Sequence, residues 1–373
     1  MRPRGSDNDF DVLLAGGGHA HLLVLRDATV FREAGYRVAL LDPGPFWYSG
    51  MASGMLGGAY EPTMLTVDLE RLCRHHGVHY LPHRLLRVDP EHRRVYTEGG
   101  AGFSYGVLSL NLGSHVALPA QSADQTTYTA KPLTRLWKLR SALEAEWQAN
   151  PQAEPQVVVV GGGVTGCELA ANLLALARRR EKSLGLRLYT RTARLLPGQA
   201  KGAACYMHRY LVARGAEIHT ATDVSPEGQG LPDCDFLLWA TGLGFAPPAP
   251  DFGLPHSARG IPVEATLAVR GVSGIFVAGD CMDFSPAPLP KLGVFGVRSA
   301  PILKHNLLAS LDDRPLRSYH PQKRYLSILN LGAGQGLALW GSYWWAGRSA
   351  MWLKHYLDTR FLRPFQLPAP DLD

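Results

Sequence analysis

A short apolar run, a glycine cluster and a helical stretch occur twice in this chain, and that duplication constrains the fold more than any other feature. The first copy runs Asp11–Ala15 (DVLLA), Gly16-Gly17-Gly18, a helical pattern to about Glu33, and a second apolar run, Val38–Leu41, ending at Asp42. The other runs Val157–Val160 (VVVV), Gly161-Gly162-Gly163, a helix through about Arg180, and a strand-like run, Leu186–Tyr189. Each copy reads as a β-α-β unit, and an internal duplication is the simplest account. The glycines have a chemical reason. They let backbone N–H groups approach a pyrophosphate at the positive end of the helix. The first glycine makes the turn, the second permits the close approach, and the third lets helix and strand pack. Gly161, Gly163 and Gly166 supply all three in the second copy. In the first, Gly16 and Gly18 are in place, Gly17, His19 and Ala20 complete the turn, and His21 stands where the third glycine belongs. Asp42 is the acid that closes the second strand and is suited to ribose hydroxyls.

A later run, Gly274–Asp280 (GIFVAGD), is a buried strand ending in Gly279-Asp280, and Phe236–Gly242 (FLLWATG) precedes it. In flavoproteins with two dinucleotide domains, such a Gly-Asp meets the ribityl chain of FAD. One glycine turn alone is weak and a lone Gly-Asp is usually a turn. Two glycine turns in tandem followed by both strand ends favour a flavin and a second nucleotide.

The order GGG, GGG-x-x-G, ATG, AGD is similar to the pyridine nucleotide-disulfide oxidoreductase superfamily over roughly Asp11–Asn306. Gly161–Ala170 (GGGVTGCELA) looks like type II NADH dehydrogenases, as does a C-terminal hairpin followed by an amphipathic helix. A closer resemblance is to a subfamily often fused ahead of selenide, water dikinase, at GGGHAHLLVLR, WYSGMASGMLGGAYEP, LSLNLGS, LPKLGVFGVRSAPIL and YLSILNLG. The kinase half is absent from this sequence, so no selenium role is expected. The resemblance implies an α/β fold with two Rossmann-like dinucleotide-binding domains of three-layer ββα type and a small C-terminal hairpin and helix. The expected boundaries are an FAD-binding domain in residues 1–120 and 251–318, an NAD(P)-binding domain in 121–250, and a C-terminal segment in 319–373. Pro119–Pro132 reads as a linker. FAD is the implied cofactor and NAD(P)H the substrate. Ser49, Gly113, Gly279 and Asp280 join the first glycine turn as flavin contacts, and Arg191 and Gly242 join the second as nucleotide contacts.

Two candidate catalytic residues follow. Glu168, at the foot of the second helix, matches a glutamate that lies near nicotinamide and flavin in the dehydrogenases. It would equally serve as a dipole-stabilising acid there. Lys291 in LPKLG, at the start of an apparent helix, is suited to stabilising negative charge on reduced flavin. His19 and His21 lack a third ligand nearby, so they are read as shaping the loop, with no metal site expected. His21 implies a wider gap between helix and strand.

Composition narrows the class. Of 373 residues 46% are hydrophobic and 19% charged, enough for two or three packed domains. The net charge of +6 is scattered as Arg and His, which leaves no nucleic-acid footprint. Five cysteines form no close pair, the N-terminal stretch is polar, and no run approaches about 20 apolar residues. A cytoplasmic protein, soluble or peripheral to the inner membrane face, is the expectation. Tyr325–Leu331 and Leu337–Trp340 read as a hairpin, and Ser349–Leu362 as an amphipathic helix with Lys354, His355, Arg360 and Arg363 on the polar face. With Trp340, Tyr343, Trp344, Trp345, Trp352 and Tyr356 it suits a membrane interface, core packing or a homodimer contact.

The expected activity is hydride transfer from NAD(P)H to FAD and onward to a small acceptor, with a quinone as best candidate. Asp42–Glu61 contains no cysteine, which removes the disulfide-reductase branch. Two alternatives stand: a sulfide:quinone-type enzyme using Cys167 and Cys281, and a flavin-bound sensor or scaffold. At the end of Leu186–Tyr189 stands Thr190 rather than an acid, with Arg191 and Arg194 behind it, so NADPH is expected to serve at least as well as NADH.

Overall fold

The computed structural model describes residues 8–116, 127–225 and 231–367. It is an α/β protein built on two Rossmann-like sheets. In the first, the parallel strands His79–Leu81, Val38–Leu41, Asp9–Ala15 and Gly102–Leu110 lie side by side in that order. Gly102–Leu110 is long enough to hold two neighbours on its other edge. Arg94–Thr97 pairs antiparallel with its beginning, and Ile275–Val277 pairs parallel with its end. The second sheet is all parallel: Ala216–His219, Gly185–Tyr189, Gln156–Val160, Phe236–Trp239 and Thr127–Thr129. Strands covered on both faces cannot alternate, which is why VALL and VVVV read as continuous apolar runs; both are fully buried.

Thr127–Thr129 corrects the linker reading of Pro119–Pro132: part of that segment is an edge strand, while residues 117–126 lie outside the described residues. The helix Thr134–Ala149 that follows turns one buried cation outward. Arg140 donates to the carbonyls of Met55 (3.1 Å) and Tyr60 (3.0 Å) and to the Glu61 carboxylate (2.7 Å). All three acceptors belong to the short helix Ala52–Leu56 and the loop after it.

The C-terminal piece is more than a hairpin. Leu326–Asn330, Gly336–Trp340 and Tyr343–Gly347 form a three-stranded antiparallel sheet, the last two joined by Gly341-Ser342, with Gly341 at φ +61°. A two-residue turn that needs positive φ is the usual hairpin connection, so part of the aromatic cluster is strand. The helix Arg348–Leu362 then buries Ala350, Lys354, Asp358 and Leu362. That four-residue spacing is one helical stripe, and it corrects the placing of Lys354 on the polar face. Trp352 (69% exposed), Tyr356, Trp340 and Tyr343 stay outside. Among the described residues no helix is long and apolar enough to cross a membrane.

Candidate functional site

The two glycine turns are built alike. Gly16 (φ +90°) receives its N–H bond partner from the neighbouring strand at Leu41, and Gly161 (φ +128°) from Tyr189, each at 2.8 Å. A Cβ on Gly16 would lie 2.5 Å from the Asn111 carbonyl oxygen, and one on Gly161 2.4 Å from that of Ala240. Only glycine fits either place. The third positions differ. A Cβ on Gly166 would meet the Gly161 oxygen at 1.8 Å, so helix and strand touch there. At the matching place His21 fills the wider gap, with Nδ1 2.5 Å from the Gly16 oxygen and Nε2 2.7 Å from Ser109 Oγ. Burial pushes its pKa down from 6.5 to about 4.

That shift has a sign. A histidine neutral in the folded state and basic in the unfolded one contributes stability above its ordinary pKa, lost as pH falls through 6.5 toward 4. The full loss is roughly 3 kcal/mol. Thermal melts between those pH values are expected to show it, and His21→Gly, which removes the ring, to flatten the slope.

Around the first turn, Asp42 accepts from Gly17 N at 2.7 Å and Gly44 N at 3.0 Å. Asn111, which sequence reasoning missed, accepts from Ala20 N at 3.1 Å and donates to the Ala278 carbonyl at 2.7 Å. It thereby ties the glycine turn to the strand that ends in Gly279-Asp280. Asp280 accepts from Ser114 Oγ (2.7 Å) and Lys131 Nζ (2.6 Å). Burial alone would raise its pKa; the Lys131 ammonium and the Ser114 hydroxyl outweigh that and hold it below the usual range. Among the described residues nothing donates to the other Asp280 oxygen. Gly113, beside Ser114, has φ +80° and open space where a Cβ would stand. Lys131 sits in the segment read as linker, so no local signal marked it.

The second turn opens a cleft of about 1000 Å³ lined by Gly161, Gly163, Arg191, Thr222, Asp223 and Gly242, among others. Gly166 lies behind it. A smaller cavity of about 400 Å³ lies between His19 and Ser49 on one side and the C-terminal helix on the other. Its walls are mostly apolar (Leu292, Val297, Ile328, Leu357, Phe361) around a charged pair. Lys354 Nζ lies 3.1 Å from Asp358 Oδ2 and donates to Gly50 O at 2.6 Å, while Tyr48 Oη donates to Asp358 Oδ1 at 2.9 Å. Neither ion was foreseen as a site residue.

Glu168 is half-buried and lines neither space. Its Oε1 accepts from Ser53 Oγ and Asn330 N, both at 2.8 Å. Burial raises its pKa, against the pull of Lys354 and these donors. Lys291 is placed apart. The helix begins two residues later, at Gly293, and the Lys291 ammonium donates to the carbonyls of Met282 (3.0 Å) and Arg259. Cys167 and Cys281 are buried thiols. Although Cys167 lies in the first turn of a helix, burial pushes its pKa up to about 12, and that of Cys281 to about 11.

The sequence model of pyridine nucleotide-disulphide oxidoreductases matches residues 10–300, a stretch that includes both glycine turns and the Gly-Asp strand end. The chain belongs to that family. It is an oxidoreductase, and membership implies use of flavin and pyridine nucleotide. Among curated relatives, a demethylphylloquinone reductase of Synechocystis sp. is 24% identical over 322 residues, covering 80% of this chain and 78% of the relative. A type II NADH:quinone oxidoreductase of Staphylococcus epidermidis is 22% identical, with 94% of each chain covered. Two solved structures share the fold. The sulfide:quinone oxidoreductase of Aquifex aeolicus has a TM-score of 0.79 at 15% identity, covering 96% of this chain and 93% of that one. A ferredoxin reductase of Rhodopseudomonas palustris gives 0.70 at 19%, covering 96% and 95%. The family's Rossmann-like architecture is thus the one seen here.

The residues fit a flavin dinucleotide. The helix after the first turn starts at Gly18 without a side-chain cap, Asp42 closes the next strand, and Asp280 keeps an oxygen for a hydroxyl.

Proposed function

We propose that this oxidoreductase is FAD-dependent, takes hydride from NAD(P)H in the larger cleft, and reduces a quinone in the smaller cavity. The observation that carries this is the pair of separate spaces, one over a glycine turn and one apolar with a single buried ion pair. Two of the relatives reduce quinones by name, which supports the same acceptor. The flavin body would come from residues 1–120 and 251–318, the nucleotide body from 121–250, and 319–373 would cover the acceptor cavity.

In this reading Gly16–Ala20, Asp42, Gly113 and Asp280 hold the flavin, which supplies hydride acceptance and onward electron transfer when bound. Gly161, Gly163, Arg191 and Gly242 bind the nucleotide. Glu168, whose pKa burial raises, links the Ser53 hydroxyl to the Asn330 backbone and is the candidate proton carrier. Lys354 and Asp358 fix the Tyr48–Gly50 wall of the acceptor cavity. Lys291 acts by holding the backbone after Gly279-Asp280, since its ammonium already carries two carbonyls. The exposed rings of Trp352 and Tyr356 give the outer face of the last helix a surface suited to a lipid interface, and flotation with anionic vesicles decides that point.

A thiol-fed route through Cys167 and Cys281 is the competitor, and protonated buried thiols speak against it. The test uses the Cys167→Ala/Cys281→Ala double variant. Under anaerobic conditions NADH or NADPH is expected to bleach its flavin, sulfide to leave it yellow, and a soluble quinone to restore the colour with turnover near wild type. Loss of activity with flavin retained would install the thiol route. Bleaching by neither donor would leave the sensor reading.

A further inference from the structure

We infer that the larger cleft selects a nicotinamide nucleotide bearing a 2′-phosphate, and that Arg191 is the residue that selects it. This rests on reading the cleft as a nucleotide site. The chain carries its own control. In the first unit Ala15 pairs with Leu41, and the next residue, Asp42, turns its carboxylate onto the glycine turn at Gly17. In the second unit Val160 pairs with Tyr189 in the same register, so Thr190 occupies the place of Asp42. Its side chain stands against the glycine turn in the same way, 2.7 Å from where a Cβ on Gly162 would be. The two sites differ in chemistry, not in position.

An acid at this place accepts from a ribose 2′-hydroxyl and repels a 2′-phosphate. Thr190 does neither. It is 6% exposed and its Oγ1 is 2.9 Å from Thr192 Oγ1, inside the loop. Removal of the carboxylate takes away the repulsion, and the next residue supplies attraction. Arg191 is exposed, lines the cleft, and has no hydrogen-bond or ionic partner among the described residues. A planar guanidinium suits a phosphate monoester. Arg194, expected beside it, is half-buried and does not line the cleft, and its Nη2 donates to Gln199 O at 3.0 Å.

Asp223 is the other charged residue among the described lining of the cleft. It follows Ala216–His219, one strand farther from the glycine turn than Thr190. As a ribose acceptor it would favour the unphosphorylated nucleotide, so the experiment weighs it directly.

Calorimetric titration of flavin-loaded protein with adenosine 2′,5′-bisphosphate and with 5′-AMP reads the preference without turnover. The bisphosphate is expected to bind at least about tenfold tighter, with the margin shrinking as salt rises. Arg191→Ala is expected to remove most of that margin while leaving 5′-AMP affinity nearly unchanged, and Thr190→Glu to reverse it. Equal or tighter binding of 5′-AMP overturns the inference, most directly if Asp223→Asn weakens 5′-AMP. That result leaves the cleft a nucleotide site. Binding of neither probe overturns both the inference and the reading beneath it.

Discussion

Gly166→Val protein is expected to keep its flavin and to lose reduction by NAD(P)H. The first atom of any side chain at 166 would stand 1.8 Å from the Gly161 oxygen. Gly161 cannot yield, because the Ala240 carbonyl lies 2.4 Å from its own missing Cβ. The helix must therefore move off the strand, carrying its first-turn N–H groups away from the cleft. Overpacking of this kind costs about 1–3 kcal/mol or more, and a displacement near 1 Å can slow a positioned reaction roughly 100-fold. Stopped-flow reduction by NAD(P)H should fall by at least about that factor, while dithionite bleaches the flavin normally. Gly163→Ala offers a contrast. No atom lies within 4 Å of its missing Cβ, so the fold should be unchanged and only nucleotide affinity should drop. A colourless Gly166→Val protein would mean that the two Rossmann units do not fold independently.

Asp280→Leu should yield protein without flavin. The carboxylate and the Lys131 ammonium, 2.6 Å apart with side chains 10% and 22% exposed, compensate each other. Removing one partner of such a pair costs roughly 3–5 kcal/mol, since the remaining charge is left buried. The change also removes the oxygen proposed to meet the ribityl chain. Purified variant is expected to show a flavin-to-protein absorbance ratio near zero, and added FAD to bind more than about 100-fold more weakly. The double change Asp280→Leu/Lys131→Met removes the stranded charge, so it should recover melting temperature but not colour. Recovery of colour as well would mean that Asp280 serves the fold alone.

What was legible in the sequence was local. Each glycine turn, the strand before it and the strand after it lie within about 35 residues, and burial on both faces writes them as apolar runs. Asp42, Asp280 and Glu168 were visible because they adjoin those runs. The residues that were missed bond across the chain. Asn111 reaches Ala20 and Ala278, and Lys131 reaches Asp280, over separations that no spacing rule encodes. Lys354 misled for another reason, and Asp358 carried no signal of its own. A Lys and an Asp four apart read as a solvated helical pair, and only the tertiary contact with Tyr48 and Gly50 shows that they face inward. The third C-terminal strand had a usable signal, the Gly341-Ser342 dipeptide between β-prone aromatics. Trp and Tyr clusters suit interfaces equally well, which masks that signal.

Arg140 has a mechanical consequence. It projects from the helix that follows the second sheet's edge strand and is 2% exposed; besides Glu144 on its own helix, its acceptors are Met55, Tyr60 and Glu61. Swinging the two Rossmann units apart would strip a buried guanidinium of those acceptors at once. The guanidinium is a splint across the joint. Loosening that joint by Arg140→Ala would therefore release the Met55–Glu61 stretch from the helix rather than open either cavity directly.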